Sequence, residues 1–128
     1  MKLSFEPVTL PLEHPFSITG YTFLNLEAVW VTLEDSGVQG KGEGVGVYYL
    51  GDNQKLMLEE LASAKTEVEA GADPFEVASR LASKGAANAL DCAAWDLRCK
   101  LEGNSIWELV GLNPNSLHTV ATIGIGTD

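Results

Sequence analysis

The hydrophobic pattern changes period near residue 52, and that change limits the fold more than any other feature. Before it, apolar residues alternate with a period of two. Leu3, Phe5 and Pro7 alternate with Ser4 and Glu6, and Val8, Leu10 and Leu12 with Thr9 and Pro11, which reads as an edge strand. Residues 23–34 form the strongest strand, with Leu24, Leu26, Ala28, Trp30 and Thr32 on one face and Phe23, Asn25, Glu27, Val29, Val31 and Leu33 on the other. Asp35-Ser36-Gly37 is a turn, and Val38–Val47 returns as a glycine-rich strand. The expected result is a three-stranded antiparallel meander.

After residue 52 the spacing becomes helical. Asp52 or Asn53 can cap a helix carrying Met57, Leu58, Leu61, Ala62, Lys65 and Val68, with Gly71 at its C-terminal end. Asp73-Pro74-Phe75-Glu76 has the cap, proline and acid of a helix start, and this helix is expected to run to about Ser83. The longest helix carries Ala86, Leu90, Ala93, Ala94, Leu97 and Leu101, has Asp96 and Lys100 as an i,i+4 pair, and stops at Gly103. A short helix over 105–110 and a loop over 111–115 follow. Thr119–Gly126 then reads as one more strand, the first element of something beyond the helices. The fold class is α+β, a meander followed by a helical bundle.

Several chemistries are disfavoured by composition. Asp and Glu number 18 against 8 Lys and Arg, for a net charge of −10. With no basic cluster, nucleic acid and anionic membrane are poor partners. No window approaches the roughly 18 apolar residues of a membrane span. The start, interrupted by Glu6 and Pro7, does not read as a secretory leader, so the cytoplasm is the expected location. Cys92 and Cys99 lie seven apart on one helix, roughly 10 Å along its axis; that is too far for a disulfide. Reduced thiols are expected, without a zinc site.

The spacing of polar residues nominates no catalytic centre. Asp91 and Asp96 are five apart and do not share a helix face. His14 and His118 each stand alone. The run Gly40-Lys41-Gly42-Glu43-Gly44-Val45-Gly46 has neither phosphate-loop spacing; alternating glycines within a strand point to close backbone approach. Trp30, Trp95 and Trp107 are expected in the core. The segment His14–Tyr21 reads as a loop with an apolar edge of Phe16, Ile18 and Tyr21. Tyr48-Tyr49, closing the glycine strand, have the flat faces and polar tips that suit ligand contact.

Three segments together resemble one family. They are Pro15-Phe16-Ser17-Ile18-Thr19 before a long strand; Gly40-Lys41-Gly42-Glu43-Gly44; and Ala87-Asn88-Ala89-Leu90-Asp91-Cys92-Ala93-Ala94-Trp95-Asp96-Leu97-Arg98-Cys99-Lys100, then Gly103 and Ile106-Trp107-Glu108-Leu109-Val110-Gly111. The chain resembles the N-terminal capping domain of the enolase superfamily, in the mandelate racemase and muconate-lactonizing branch, near the dipeptide epimerases and N-acyl amino acid racemases. The resemblance implies a cap over 1–116 and, over 117–128, the first strand of a (β/α) barrel absent from this chain. Such a barrel takes roughly 250 residues and carries the catalytic groups. It would supply lysine acid/bases and the carboxylates for Mg²⁺, which stabilises the enediolate formed by removing the proton α to a carboxylate. No catalytic or metal residue is assigned to this chain, and the 128 residues alone are expected to be inactive.

The resemblance also implies that two loops, about Phe16–Tyr21 and Val47–Leu50, select a small carboxylate substrate. The implied substrate-binding residues are Phe16, Thr19, Tyr21, Tyr48, Tyr49 and Thr122. Some dipeptide epimerases have an arginine in the first loop where this sequence has Tyr21, and a phenol cannot provide a bidentate charged clamp. The expected partner is the protein's own C-terminal barrel, in a homo-oligomer. The expected reaction is Mg-dependent epimerisation or racemisation of a dipeptide or N-acyl amino acid. Cycloisomerisation, acid-sugar dehydration and a free-standing binding domain are the alternatives.

Overall fold

The computed structural model describes residues 1–120 and places a three-stranded antiparallel sheet against a layer of helices. The strands are β1 (Lys2–Ile18), β2 (Tyr21–Asp35) and β3 (Val38–Val45), in the order β1-β2-β3. A 3₁₀ turn (Tyr48–Leu50) leads into α1 (Gln54–Glu69), α2 (Pro74–Arg80), α3 (Lys84–Glu102) and α4 (Ile106–Leu109).

Pairing puts Leu3 opposite Leu33 and Phe5 opposite Val31. Across the other ladder, Val29, Val31 and Leu33 face Gly44, Gly42 and Gly40. Directly opposed residues share a face, so one side of the sheet carries Leu3, Val29, Val31 and Leu33. These are buried with Met57, Leu61, Val68, Val77, Leu90 and Leu97 in one core.

On β3 that face carries glycines, because α3 lies directly on the strand. A Cβ added at Gly40 would sit 2.2 Å from the Ala93 carbonyl oxygen; at Gly42, 2.0 Å from that of Ala89; at Gly44, 2.0 Å from that of Gly85. Two strand residues advance about 6.6 Å and four helical residues about 6 Å, so the two backbones run antiparallel almost in step. Asp96 locks the register. Its carboxylate accepts from the Lys41 amide at 2.8 Å and from Lys100 Nζ at 2.6 Å, while Lys100 also donates to the Gln39 carbonyl at 2.9 Å.

Local chemistry sets the helix ends. Asn53 caps α1 by accepting from the Leu56 amide, Asp73 caps α2 from Phe75, and Ser83 caps α3 from Ala86. Gly103 ends α3 in the left-handed region at φ 68°, where glycine avoids the Cβ penalty. Ser105 and Glu108 form a reciprocal capping box on α4.

Some expectations are corrected. The segment His14–Tyr21 is not a loop: β1 continues to Ile18, β2 starts at Tyr21, and only Thr19-Gly20 turns. α2 stops at Arg80, short of Ser83, which caps the next helix instead. Trp30 and Trp107 are not core, being 44% and 40% exposed. Trp30 lies on the face opposite the helices, where its indole donates to Glu43 at 2.7 Å. Trp95 is half-buried, edge-on to Phe75 and beneath the Arg98 guanidinium. Residues 117–120 have no regular structure; most of the strand expected over 117–128, with Thr122, lies outside the described residues.

Two outcomes follow from the α3–β3 contact. Gly42→Ala forces backbone apart from backbone and should cost about 3 kcal/mol or more in denaturant unfolding, whereas Lys41→Ala, on the opposite face, should cost well under 1 kcal/mol. Asp96 contributes to the pH dependence, alongside Glu69 and Glu108, whose carboxyls are likewise held below their usual range by hydrogen bonds. Partial burial raises the Asp96 pKa, but the hydrogen bonds from Lys100 and the Lys41 amide outweigh this and hold the carboxyl below its usual range. Its contribution is therefore present above the ordinary carboxylate pKa of about 4 and lost as pH falls towards the lower folded value. Asp96→Asn should flatten that acid limb of the stability curve, measured by unfolding at stepped pH.

Candidate functional site

The sheet extends past the helices at one end. There the β1–β2 hairpin continues as a two-stranded arm, interrupted by a register shift between Pro11 and Phe16. Beyond the shift, Phe16 pairs with Phe23 and Ile18 with Tyr21. Tyr21 and Phe23 share the helix-side face with Val29, Val31 and Leu33, because residues two apart alternate together. That face continues past the helical layer as a row of aromatic rings.

The 3₁₀ turn is placed beside this row by contacts at its base. Gly46 lies so close to the following loop that a Cβ there would be 2.6 Å from the Asp52 carbonyl. Asp52 itself is buried, and its carboxylate accepts from Ser83 Oγ at 2.7 Å and from the Gly85 amide at 2.9 Å. The expectation of Asp52 or Asn53 as the α1 cap resolves to Asn53; Asp52 instead ties the loop to the first turn of α3. Gln54 completes the base by donating to the Ala28 carbonyl at 2.8 Å and the Val8 carbonyl at 3.3 Å.

Held in this way, Tyr48 stacks on Tyr21 with centroids 4.7 Å apart and planes at 21°. Phe23 meets both edge-on, at 4.5 Å from Tyr21 and 5.6 Å from Tyr48. Tyr49 abuts Tyr48 at 5.2 Å, and Phe16 lies 6.1 Å from Phe23. These are the separations at which aromatic pairs attract. Tyr21 and Tyr48 remain 45% and 44% exposed and Tyr49 73%. A cavity of about 340 Å³ opens between the arm and the start of α1, walled by Tyr21, Phe23, Asn25, Tyr48, Asn53 and Gln54.

Of the sequence-nominated residues, Phe16, Tyr21, Tyr48 and Tyr49 come together. Thr19 is exposed in the arm's turn, and Thr122 lies outside the described residues. Phe23, Asn25 and Asp52 were not nominated. The alternation that places Phe23 and Asn25 on the Tyr21 face was the available signal for those two.

Other chemistry is sparse. Among the described residues, no group of three or more His, Cys, Asp or Glu side chains is placed to hold a metal ion, so these residues do not fit a magnesium site. Cys92 and Cys99 are free. Partial burial, with Asp91 alongside, pushes the Cys92 thiol up, opposite to what activates a nucleophile.

Residues 3–111 match the family described as the N-terminal domain of mandelate racemase / muconate lactonizing enzymes. The chain belongs to that family. As a member, it is 32% identical over 118 residues to an L-Ala-D/L-Glu epimerase of Escherichia coli K12, a match covering 91% of this chain and 37% of the relative. A solved enolase family member from Agrobacterium tumefaciens, with homology to dipeptide epimerases and with sodium and L-Ala-L-Glu bound, superposes with a TM-score of 0.86 at 26% identity, over 97% of this chain and 38% of that one. A dipeptide epimerase of Enterococcus faecalis V583, complexed with Mg and L-Leu-L-Tyr, shares the fold with a TM-score of 0.82 at 24% identity, over 98% and 38%. This family member thus spans a little over a third of the length of these proteins.

The buried Asp52 anchor is directly testable. Asp52→Ala leaves the Ser83 hydroxyl and the Gly85 amide without their carboxylate. It should cost about 2 kcal/mol, as expected for hydrogen bonds to a charged group. Amide exchange should rise first at Gly85 and Ala86, and NMR exchange rates check this.

Proposed function

We propose that the chain is the substrate-capping domain of a dipeptide epimerase, a protein that inverts the carbon α to a carboxylate in a dipeptide or N-acyl amino acid. The observation that carries this reading is the half-exposed aromatic corner. It joins the tip of one hairpin and a 3₁₀ turn nearly thirty residues further along, outside the core, in a chain whose relatives include dipeptide epimerases. Side chains left open to solvent but held in fixed mutual geometry suit selection of a ligand.

In this reading the described residues bind, orient and exclude water, and the proton transfer belongs to a barrel outside the chain. Magnesium would be held there as well, since no ligand set for it occurs among the described residues. Phe16, Thr19, Tyr21, Tyr48 and Tyr49 would line the substrate side of the cap, joined by Thr122 from the segment that leads into the barrel. The whole protein would work in the cytoplasm as a homo-oligomer.

The test is α-proton exchange in D₂O by the full-length protein with magnesium and a panel of L,L-dipeptides. Deuterium should appear at the α-carbon of the C-terminal residue, with inversion. Cycloisomerisation of a muconate, or acid-sugar dehydration, without dipeptide exchange would replace this reading. Tyr49→Ala should change relative kcat/KM among dipeptides by about tenfold while Tm moves by no more than a degree or two, as for a surface change. A large fall in Tm with unchanged preference would make Tyr49 structural.

A further inference from the structure

We infer that the cavity beneath the aromatic corner accepts a bulky uncharged side chain, best an aromatic one, and discriminates against acidic ones. This rests on the capping role above and names the substrate class of the same site.

The size fits first. At about 340 Å³ the cavity lies at the lower end of small-ligand sites, roughly 300–1,000 Å³, and suits one side chain rather than a whole cofactor. Its apolar walls are the rings of Tyr21, Phe23 and Tyr48, and polar side chains of Asn25, Glu27 and the 52–55 segment complete the lining. Such walls reward apolar area and penalise a stripped charge.

An acidic side chain finds no counter-charge. Among the described residues, the one cation lining the cavity is Lys55, whose side chain is 85% exposed and paired with Glu59 at 3.8 Å. The lining also holds two carboxylates, Glu27 and Asp52, which would repel a third. Asp52 accepts from Ser83 Oγ and the Gly85 amide, and Glu27 from Thr9 Oγ1 at 3.0 Å, all of them neutral donors that leave the lining acidic. Stacking takes up one face each of Tyr21 and Tyr48, and Phe23 sits edge-on to both. What remains for a ligand is aromatic surface, with the Asn25, Asn53 and Gln54 amides at the lining. An aromatic side chain can extend the cluster by one more edge-to-face contact.

The experiment uses the full-length protein with L-Ala-L-Phe, L-Ala-L-Glu, L-Ala-L-Lys and L-Ala-L-Ala, and reads two quantities: binding by calorimetry, and kcat/KM for α-proton exchange. L-Ala-L-Phe should bind roughly tenfold or more tightly than L-Ala-L-Glu and L-Ala-L-Ala. Tyr21→Ala should remove that advantage and Tyr21→Phe should keep it, with the Tm of each variant read alongside. If L-Ala-L-Phe binds best but no dipeptide exchanges its α-proton, the cavity assignment stands and the epimerase reading falls. If exchange occurs but L-Ala-L-Glu or L-Ala-L-Lys is preferred, or if no dipeptide binds, the cavity assignment is overturned. A Tyr21→Ala protein that keeps the parent's Tm has lost the pocket and not the fold.

Discussion

The closest contact in this domain is made by atoms that carry no side chain. α3 lies on β3 with carbonyl oxygens where β-carbons would be, at Gly40, Gly42 and Gly44. Other features inherit their position from it. With α3 drawn down onto the strand, Leu90 and Leu97 enter the core beside Val29, Val31 and Leu33. The same approach brings the start of α3, with Ser83 and Gly85, to the end of β3, where Asp52 can reach both. Asp52 then fixes the loop that carries Tyr48. The glycine track and the aromatic corner are thus two ends of one chain of contacts, and a disturbance at Gly44 would be felt at Tyr48 through Gly85 and Asp52.

The arm that supplies the other half of the corner is held differently. Its root is packed, but beyond the register shift at Pro11–Phe16 the strands have no helix behind them. The arm's cohesion comes from its own ladder and from the rings of Phe16, Tyr21 and Phe23 against Tyr48. Isolated hairpins are marginal in water, so the stacking on Tyr48 both forms the pocket and steadies the arm. Segments of this kind come from the low-stability end of a fold, as binding elements generally do.

Much of the architecture was legible in the residues. The change of period separated sheet from helices, the caps at Asn53, Asp73 and Ser105 follow local chemistry, and the alternating glycines pointed to close backbone approach. What failed did so for definite reasons. Alternation divides β2 into two faces but does not say which one is covered; Trp30 looked like core and lies on the side away from the helices. Proline, threonine and glycine near the arm's tip imitate a loop, though Phe16, Ser17 and Ile18 pair with Phe23, Thr22 and Tyr21. Within the site, local signals reached Tyr21 and Tyr48 separately. Their stacking depends on a register shift, a glycine at 46 and a buried carboxylate, and none of those has a local sequence signature.

The separation between floor and tip has a consequence for how such a cap can change. The floor is backbone packed against backbone, with no side chain to trade and little volume to spare. The tip is built from half-exposed rings whose energetic role is mutual contact. Substitutions at Tyr21, Tyr48 or Tyr49 alter the shape and polarity of the corner while leaving the glycine track and the Asp96 clamp untouched, because none of these side chains belongs to the buried core. Selectivity can therefore vary over a range that stability would forbid at Gly42 or Leu90. The acidic lining by Glu27 and Asp52 sets one limit on that range: each carboxylate is held by hydrogen bonds from the fold itself, so a tip variant that welcomed an anion would have to bring a cation of its own.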